Sequence, residues 1–202
     1  MGKLKTVLAS FVALLPISAI AQGPSSALRP ETGTKNFAAL NKKALAGDTR
    51  SQLQLGIAFE FGQGVDKNLE QAMHWYRIAA ERGDPIAQTN LGYFYETGVA
   101  GPASPTEAAK WYLRASVSGF VRAQFNLGTL YLRGAGVERN DEVAAHWISQ
   151  AADAGCPTAM DALGRLYADG VGVPRDEQKA RELIQKAAKK HDPRLCTRYG
   201  RQ

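Results

Sequence analysis

The stretch Ala-Gln-Phe-Asn-Leu-Gly-Thr-Leu-Tyr at residues 123–131 contains the Leu-Gly pair that decides the fold. The pair recurs every 36 residues, at positions 55–56, 91–92, 127–128 and 163–164. A fixed period of this length indicates a stack of small units, each of which buries its apolar face against its neighbours. Four further columns keep the same interval: glycine at 62, 98, 134 and 170, alanine at 72, 108, 144 and 180, alanine at 79, 115, 151 and 187, and tryptophan at 75, 111 and 147, where Leu183 follows.

The second unit shows best what one repeat contains. Asp84 followed by Pro85 predicts an N-cap and a proline at the first helical position, and residues 98–101 end that helix. Residues 104–107, Ser-Pro-Thr-Glu, predict a capping box for a second helix, which Gly119 closes. Apolar residues follow helical spacing between these signals, and no stretch alternates with period two. The sequence therefore predicts an all-α fold of antiparallel helix pairs.

The glycine in the middle of each first helix needs a physical reason, because it costs about 1 kcal/mol relative to alanine. We expect a neighbouring helix to approach so closely that a Cβ atom would interfere. The tryptophans are expected to supply bulk between these close contacts. On this interpretation Trp111→Ala, in the middle of the array, would cost about 3–5 kcal/mol.

The N-terminus has the pattern of a signal peptide over residues 1–21. Lys3 and Lys5 precede an apolar run over residues 6–20, and Ala19-Ile20-Ala21 supplies the cleavage pattern, with Gln22 as the first mature residue. The apolar run is too short for a comfortable membrane span, so we expect no transmembrane segment after cleavage. The mature protein is expected to be periplasmic or secreted.

The rest of the chain divides by the period. A flexible leader is expected first, because that segment is rich in Pro, Gly, Ser and Thr and lacks periodicity. A half-repeat that matches only a second helix then caps the N-terminal end, and a partial repeat follows the last full unit. The expected boundaries are 22–35 for the leader, 36–47 for the cap, 48–83, 84–119, 120–155 and 156–191 for the four repeats, and 192–202 for the partial repeat.

Positive charge is concentrated at the C-terminal end. The whole chain has 25 Lys and Arg against 19 Asp and Glu, a formal net charge of +6. Residues 175–202 hold nine of the basic residues and four of the acids. This end is either a solvated cap of the stack or a contact for an anionic surface or acidic partner. Nucleic acid is not expected, because no recognised binding motif is present.

The two cysteines, Cys156 and Cys196, are 40 residues apart, which is one repeat plus about one helical turn. Equivalent helices of adjacent repeats lie roughly 10 Å apart, whereas a disulfide needs Cα atoms within about 7 Å. The spacing favours free thiols, unless the terminal helix is displaced from the ideal stack. The expected oxidising compartment permits a bridge.

Signals for catalysis or metal binding are weak. His74 and His146 share a column with Lys110 and Glu182, which is typical of a position that faces water. The sequence lacks His-Glu-x-x-His, Cys-x-x-Cys and Gly-x-Ser-x-Gly. Its Gly-x-Gly loops do not continue into Gly-Lys-Ser/Thr, so we interpret them as turns rather than phosphate sites. We therefore expect no enzyme activity, no cofactor and no metal.

Residues 123–131 are followed by Gly-x-Gly-Val at 134–137, Trp147 and the alanines at 151–152. This pattern resembles the Sel-one-like repeat family, which is similar to the tetratricopeptide repeats. The resemblance covers about residues 48–191. It implies a curved, right-handed α-solenoid that acts as an adaptor or binding surface in protein assemblies. It also implies a role in the cell envelope or in host interaction, with which exported bacterial members are associated. The second repeat departs from the pattern with Gly-Pro in its loop, and the fourth with Leu183.

A partner is expected on the concave side, which the first helices line in stacked helical hairpins. A carboxamide offers a donor and an acceptor to a peptide unit, and in tetratricopeptide repeats a similar asparagine holds the backbone of an extended peptide. The alternative is that these amides bond the adjacent helix and have a structural role. Arginines at 122 and 133 favour an acidic segment. The candidate residues are Thr89, Asn90, Tyr93, Arg122, Phe125, Asn126, Thr129 and Arg133.

The first hypothesis is therefore an exported scaffold that binds an extended segment of an envelope or host protein. A competing hypothesis is a cell-envelope binder or enzyme-accessory protein that contacts peptidoglycan or another anionic surface through its basic C-terminal end.

Overall fold

The computed structural model of the chain describes residues 31–189 and Cys196. Nine α-helices account for most of this part of the chain, and it contains no strand. Helices α2 to α9 each contain 13 residues. The helices are α1 (Glu31–Leu45), α2 (Thr49–Phe61), α3 (Leu69–Glu81), α4 (Pro85–Thr97), α5 (Pro105–Val117), α6 (Val121–Arg133), α7 (Asp141–Asp153), α8 (Pro157–Asp169) and α9 (Glu177–Lys189).

The helices pack in the order of the chain. Each one contacts mainly the helix before it and the helix after it, and the closest pairs are α2 with α3, α4 with α5, α6 with α7 and α8 with α9. The first and second helices of successive pairs begin 36 residues apart. The all-α solenoid of four helix pairs is therefore confirmed.

Side-chain caps fix the helix starts that the sequence predicts. Asp84 accepts a hydrogen bond of 2.7 Å from the backbone N–H of Ala87, and Pro85 follows it as the first residue of α4. Ser104 accepts from the N–H of Glu107 at 3.4 Å. The second hydrogen bond of the predicted capping box, from the Ser104 N–H to the Glu107 carboxylate, is wrong. The Glu107 carboxylate pairs instead with Lys110 at 2.6 Å.

The backbone N–H of Ser104 closes the loop of the repeat instead. Ser104 N–H donates to the carbonyl of Tyr95 at 2.7 Å. The same backbone hydrogen bond joins the start of the second helix to the end of the first in every repeat, from Asn68 to Phe59, Asn140 to Tyr131 and Asp176 to Tyr167. Each loop is thus closed in one way regardless of its sequence.

The glycine inside each first helix faces a large side chain of the second helix in the same repeat. A Cβ atom on Gly92 would lie 2.6 Å from the Tyr112 ring, and one on Gly128 would lie 2.6 Å from Ile148. Gly56 meets Tyr76 and Gly164 meets Ile184 in the same way. The expected close approach is confirmed.

The side chains that fill the space beside these glycines are not the tryptophans that the sequence predicts. Tyr76, Tyr112 and Ile148 are completely buried, whereas Trp111 and Trp147 are half-buried. The guanidinium of Arg114 lies 4.5 Å from the centre of the Trp111 ring. At these two positions the tryptophan therefore lies outside the contact that the next residue along the helix fills, whereas Trp75 is buried in a cluster with Ala44 and Leu55. Trp111→Ala removes less buried area than the sequence suggested.

Glutamine side chains link successive repeats. The amide groups of Gln52, Gln88 and Gln124 donate to carbonyls of the preceding second helix, those of Ala44, Ala80 and Ser116, at 3.0, 3.1 and 3.4 Å. Met160 occupies the fourth position of this column and is buried. The last junction therefore replaces a hydrogen bond with apolar contact.

The Gly-x-Gly loops also connect repeats. Gly136 has a φ of +72° and lies against the backbone of Pro105 and Thr106, where a Cβ atom would overlap. Gly172 lies in the same way against the backbone of Asp141. The second glycine of the loop therefore lets it contact the start of the second helix in the preceding repeat.

Two expected features at the ends of the stack are wrong. Helix α1 begins at Glu31, five residues before the expected boundary at 36, so the end of the predicted flexible leader is helical. A helix extends beyond its apolar stripe because each added residue adds a backbone hydrogen bond. The predicted signal peptide and the partial repeat, Cys196 apart, lie outside the described residues.

The second correction concerns the cysteines. Cys156 and Cys196 form a disulfide, with their Cα atoms 5.5 Å apart. The expectation of free thiols assumed that Cys196 continues the stack on an equivalent helix. Instead, Cys196 lies within reach of Arg122, two repeats back in the stack, and it joins the apolar cluster around α8.

None of the helices within the described residues is both long enough and apolar enough to cross a membrane.

We expect Gly128→Ala to destabilise the fold by about 1–3 kcal/mol, because overpacking against Ile148 outweighs the gain in helix propensity of about 1 kcal/mol. Urea unfolding followed by circular dichroism measures this change. Gly164→Ala is the matched control, since its neighbour Ile184 is 39% exposed and free to move; its cost should be smaller. A gain in stability for Gly128→Ala would show that the close contact does not matter.

Candidate partner-binding surface

A buried tyrosine–glutamate pair lies at the centre of the predicted site. Tyr112 on α5 donates a hydrogen bond of 2.9 Å from its hydroxyl group to the carboxylate of Glu96 on α4. Burial, reinforced by the negative charge of Glu96, raises the pKa of Tyr112 above its usual value. The phenol therefore stays protonated and remains a donor to Glu96 at neutral pH.

Three of the predicted residues surround this pair from α6. A side-chain hydrogen bond with Asn126 and, to a lesser degree, the positive charge of Arg122 act in the opposite direction and lower the pKa of Tyr112. Arg133 forms an ion pair with Glu96. These contacts join α4, α5 and α6 into one polar surface. We call it the α4–α6 surface and define it by Tyr93, Glu96, Arg122, Asn126, Thr129 and Arg133.

The outer part of the α4–α6 surface is accessible. Arg133 is exposed, and Tyr93, Asn126 and Thr129 are half-buried. The Thr129 hydroxyl donates to the carbonyl of Asn126 at 2.7 Å, and the Arg133 side chain donates to the carbonyl of Thr129 at 3.3 Å. The amide, hydroxyl and guanidinium groups thus present donors and acceptors of the kind that bind peptide units.

Two predicted residues are hidden. Thr89 and Asn90 are completely buried. The Thr89 hydroxyl donates to the carbonyl of Pro85 at 2.8 Å, which is a structural bond within α4. Both polar atoms of the Asn90 amide are buried without a hydrogen-bond partner in the described part of the chain. The two asparagines of the shared column therefore differ, and only Asn126 reaches the surface.

Arg122 binds a main-chain carbonyl instead of an acidic side chain. Its Nη1 donates to the carbonyl oxygen of Cys196 at 2.8 Å, across 74 residues of sequence. Phe125, the remaining predicted residue, packs against the apolar cluster that includes Cys196 and the residues of α8. The predicted site thus divides into an outer part around Arg133 and an inner part around Arg122.

The pairing of Glu96 with Tyr112 was not predicted from the sequence, although their columns carry a signal. The first two repeats pair Tyr76 with Glu60, at 2.6 Å, and Tyr112 with Glu96. In the third and fourth repeats the same two positions hold Ile148 with Leu132 and Ile184 with Ala168. Tyrosine and glutamate are thus replaced together, as a hydrogen-bonded pair requires.

The histidine column faces water, as the sequence predicts. His74 and His146 are both exposed. Some desolvation of the ring, with a smaller effect of Arg77, lowers the pKa of His74. No group of three metal-ligating side chains occurs among residues 31–189 and Cys196.

The family follows from the repeats themselves. A model of the Sel1 repeat matches residues 49–84, 85–119, 121–156 and 157–192. The chain belongs to the Sel1-repeat family. Sel1-repeat proteins are generally scaffolds for protein–protein interaction and are typically not catalytic. A comparison with curated protein sequences finds no match.

Two solved structures share both the sequence pattern and the fold. One is c5321, a protective antigen present in uropathogenic Escherichia coli strains and displaying an SLR fold. It is 37% identical and has a TM-score of 0.75, over 78% of this chain and 34% of that protein. The other is a Sel1 repeat protein from Oxalobacter formigenes, 36% identical with a TM-score of 0.71, over 79% of this chain and 47% of that protein. The matched part is about a third of the first protein and about half of the second.

A more distant structure shares the fold alone. The immunity protein Pa5087 from Pseudomonas aeruginosa is 22% identical, with a TM-score of 0.51, over 84% of this chain and 61% of that protein.

We expect Tyr112→Phe to destabilise the protein by about 1–3 kcal/mol, because it removes the hydroxyl donor to the partly buried Glu96 carboxylate. Adding Glu96→Leu should recover most of the loss, since both hydrogen-bonding groups are then absent, as in the third repeat. Urea unfolding of the wild type, the single variant and the double variant measures both effects. A double variant no more stable than Tyr112→Phe would argue against this pair.

Proposed function

We propose that this Sel1-repeat protein is an exported scaffold that binds an extended, acidic segment of a partner protein on the α4–α6 surface. The observation that carries the proposal is the hydrogen bond from Arg122 to the main-chain carbonyl of Cys196. It is an example, within the chain itself, of a main-chain carbonyl bound by a side chain of a first helix. A partner segment would use the same chemistry at Asn126, Thr129 and Arg133.

The charge of the α4–α6 surface supports an acidic partner. Arg133 is exposed, and its single recorded ionic partner in the described part of the chain is Glu96, which also accepts from Tyr112. A carboxylate from a partner can bind the outer edge of the Arg133 guanidinium, because that group carries five donors. Tyr93 lies one turn before Glu96 on α4 and would supply apolar contact.

Export is supported by two independent features. The N-terminal sequence has the pattern of a signal peptide, and the two cysteines form a disulfide, which persists in oxidising compartments. The relative c5321 is a protective antigen, a role that is consistent with export.

Expression of the full sequence in a Gram-negative bacterium tests export. We expect the mature protein to appear in the periplasm or medium with Gln22 as its first residue, and N-terminal mass spectrometry measures this. Protein that retains residues 1–21 in the cytoplasm would contradict the proposal.

Capture of partners from envelope extract tests the surface. The variant Tyr93→Ala/Asn126→Ala/Arg133→Ala is expected to lose partners that the wild type retains. The matched control is Leu113→Ala/Arg114→Ala/Val117→Ala, which changes three exposed residues of α5. A photoreactive amino acid at position 129 then shows direct contact. Identical partners for the wild type and the first variant would remove the α4–α6 surface from consideration.

One observation favours the competing function of binding to an anionic envelope surface. Lys186 and Lys189 lie on the last turns of α9, are exposed, and form no ion pair within the described residues. Co-sedimentation with purified peptidoglycan tests this function. Loss of binding in Lys186→Glu/Lys189→Glu would favour it, whereas the triple α4–α6 variant should sediment like the wild type.

A further inference from the structure

Cys196 occupies the part of the α4–α6 surface around Arg122. Its carbonyl oxygen accepts a hydrogen bond of 2.8 Å from Arg122 Nη1. The Arg122 Nε atom is also buried and has no hydrogen-bond partner in the described part of the chain. While Cys196 is in place, the inner part of the α4–α6 surface is therefore closed to another acceptor.

The disulfide keeps Cys196 there. Cys156 is the N-cap of α8, and its sulfur accepts a hydrogen bond of 3.4 Å from the N–H of Ala159. This anchor is rigid because it belongs to the start of a helix. A covalent link to a rigid anchor raises the local concentration of the Cys196 carbonyl at Arg122 far above that of a partner in solution.

Cys196 also covers apolar surface. It is 4% exposed and packs in a cluster with Met160, Leu163 and the half-buried Phe125. Aromatic and arginine side chains are both enriched at protein interfaces. Removal of Cys196 would expose Phe125 and release Arg122 together.

We propose that Cys196 is an intramolecular occupant of the Arg122 site, and that reduction of its disulfide with Cys156 opens that site to the partner segment. A dithiol reductant supplies the electrons: its thiolate attacks one sulfur to form a mixed disulfide, and its second thiol then releases the product. Two cysteine thiols form and the reductant becomes a disulfide. This inference rests on the proposed function and adds its regulation.

The burial of both cysteines limits the rate at which the disulfide is reduced. Cys156 is fully buried and Cys196 nearly so, so a reductant reaches the bond only when the chain opens locally. The hydrogen bond from Arg122 opposes that opening. Arg122 and the disulfide are thus coupled, and each stabilises the closed arrangement that the other requires.

The first test measures the reactivity of Arg122 toward phenylglyoxal, mapped by mass spectrometry on the full chain. We expect Arg122 to react about tenfold faster after reduction by dithiothreitol, and likewise in Cys196→Ser, because the covalent link no longer concentrates the competing carbonyl. Arg133 is the internal control and should react alike in each form. Equal rates at Arg122 in the oxidised and reduced protein would overturn the proposal.

The second test starts from the oxidised protein and so does not depend on how the reduced form folds. Arg122→Ala should make reduction by dithiothreitol about tenfold faster, as expected for the loss of a charge-assisted hydrogen bond that opposes opening. Arg133→Ala is the matched control and should be reduced at the wild-type rate. The same rate for Arg122→Ala and the wild type would overturn the coupling.

These measurements need no partner, so their failure is distinct from a failure of the proposed function. A partner that is captured through the α4–α6 surface equally by oxidised and reduced protein would leave the scaffold function standing and overturn the regulation.

Discussion

The structure depends on one contact: a helix backbone without a Cβ atom lies against a large side chain of the helix that follows it. Gly92 against Tyr112 and Gly128 against Ile148 are the central examples. The contact sets the separation of the two helices in each pair. Because it recurs every 36 residues, the helix pairs are similar, and similar loops and junctions fit between them.

The junctions between successive repeats use a second set of contacts. Glutamine amides reach the carbonyls of the preceding helix at three junctions, and loop glycines contact the start of the preceding second helix. These bonds hold the repeats in order. Polar groups of α6 that reach the surface, such as Asn126 and Arg133, are the ones that we propose for partner binding.

The features that sequence analysis predicted correctly are local or periodic. The caps at Asp84 and Ser104 involve residues three apart, and the glycine column repeats within the chain, so pattern alone identifies them. The contact of Arg122 with Cys196 spans 74 residues and breaks the period, so no pattern predicts it. Asn90 shows a third case: its column predicts its helix face, but its burial depends on how tightly α4 packs against its neighbours.

The change from Tyr–Glu pairs to apolar pairs along the stack has a consequence for the folding of four similar units. A slip in pairing by one repeat, from the second to the third, would bring Glu96 against Ile148 or Leu132 against Tyr112. Such a mismatch buries a carboxylate or a phenol with no partner, which is costly in a low-dielectric interior. The change therefore distinguishes the first two helix pairs from the last two. It opposes the misassembly between neighbouring copies to which repeat chains are prone.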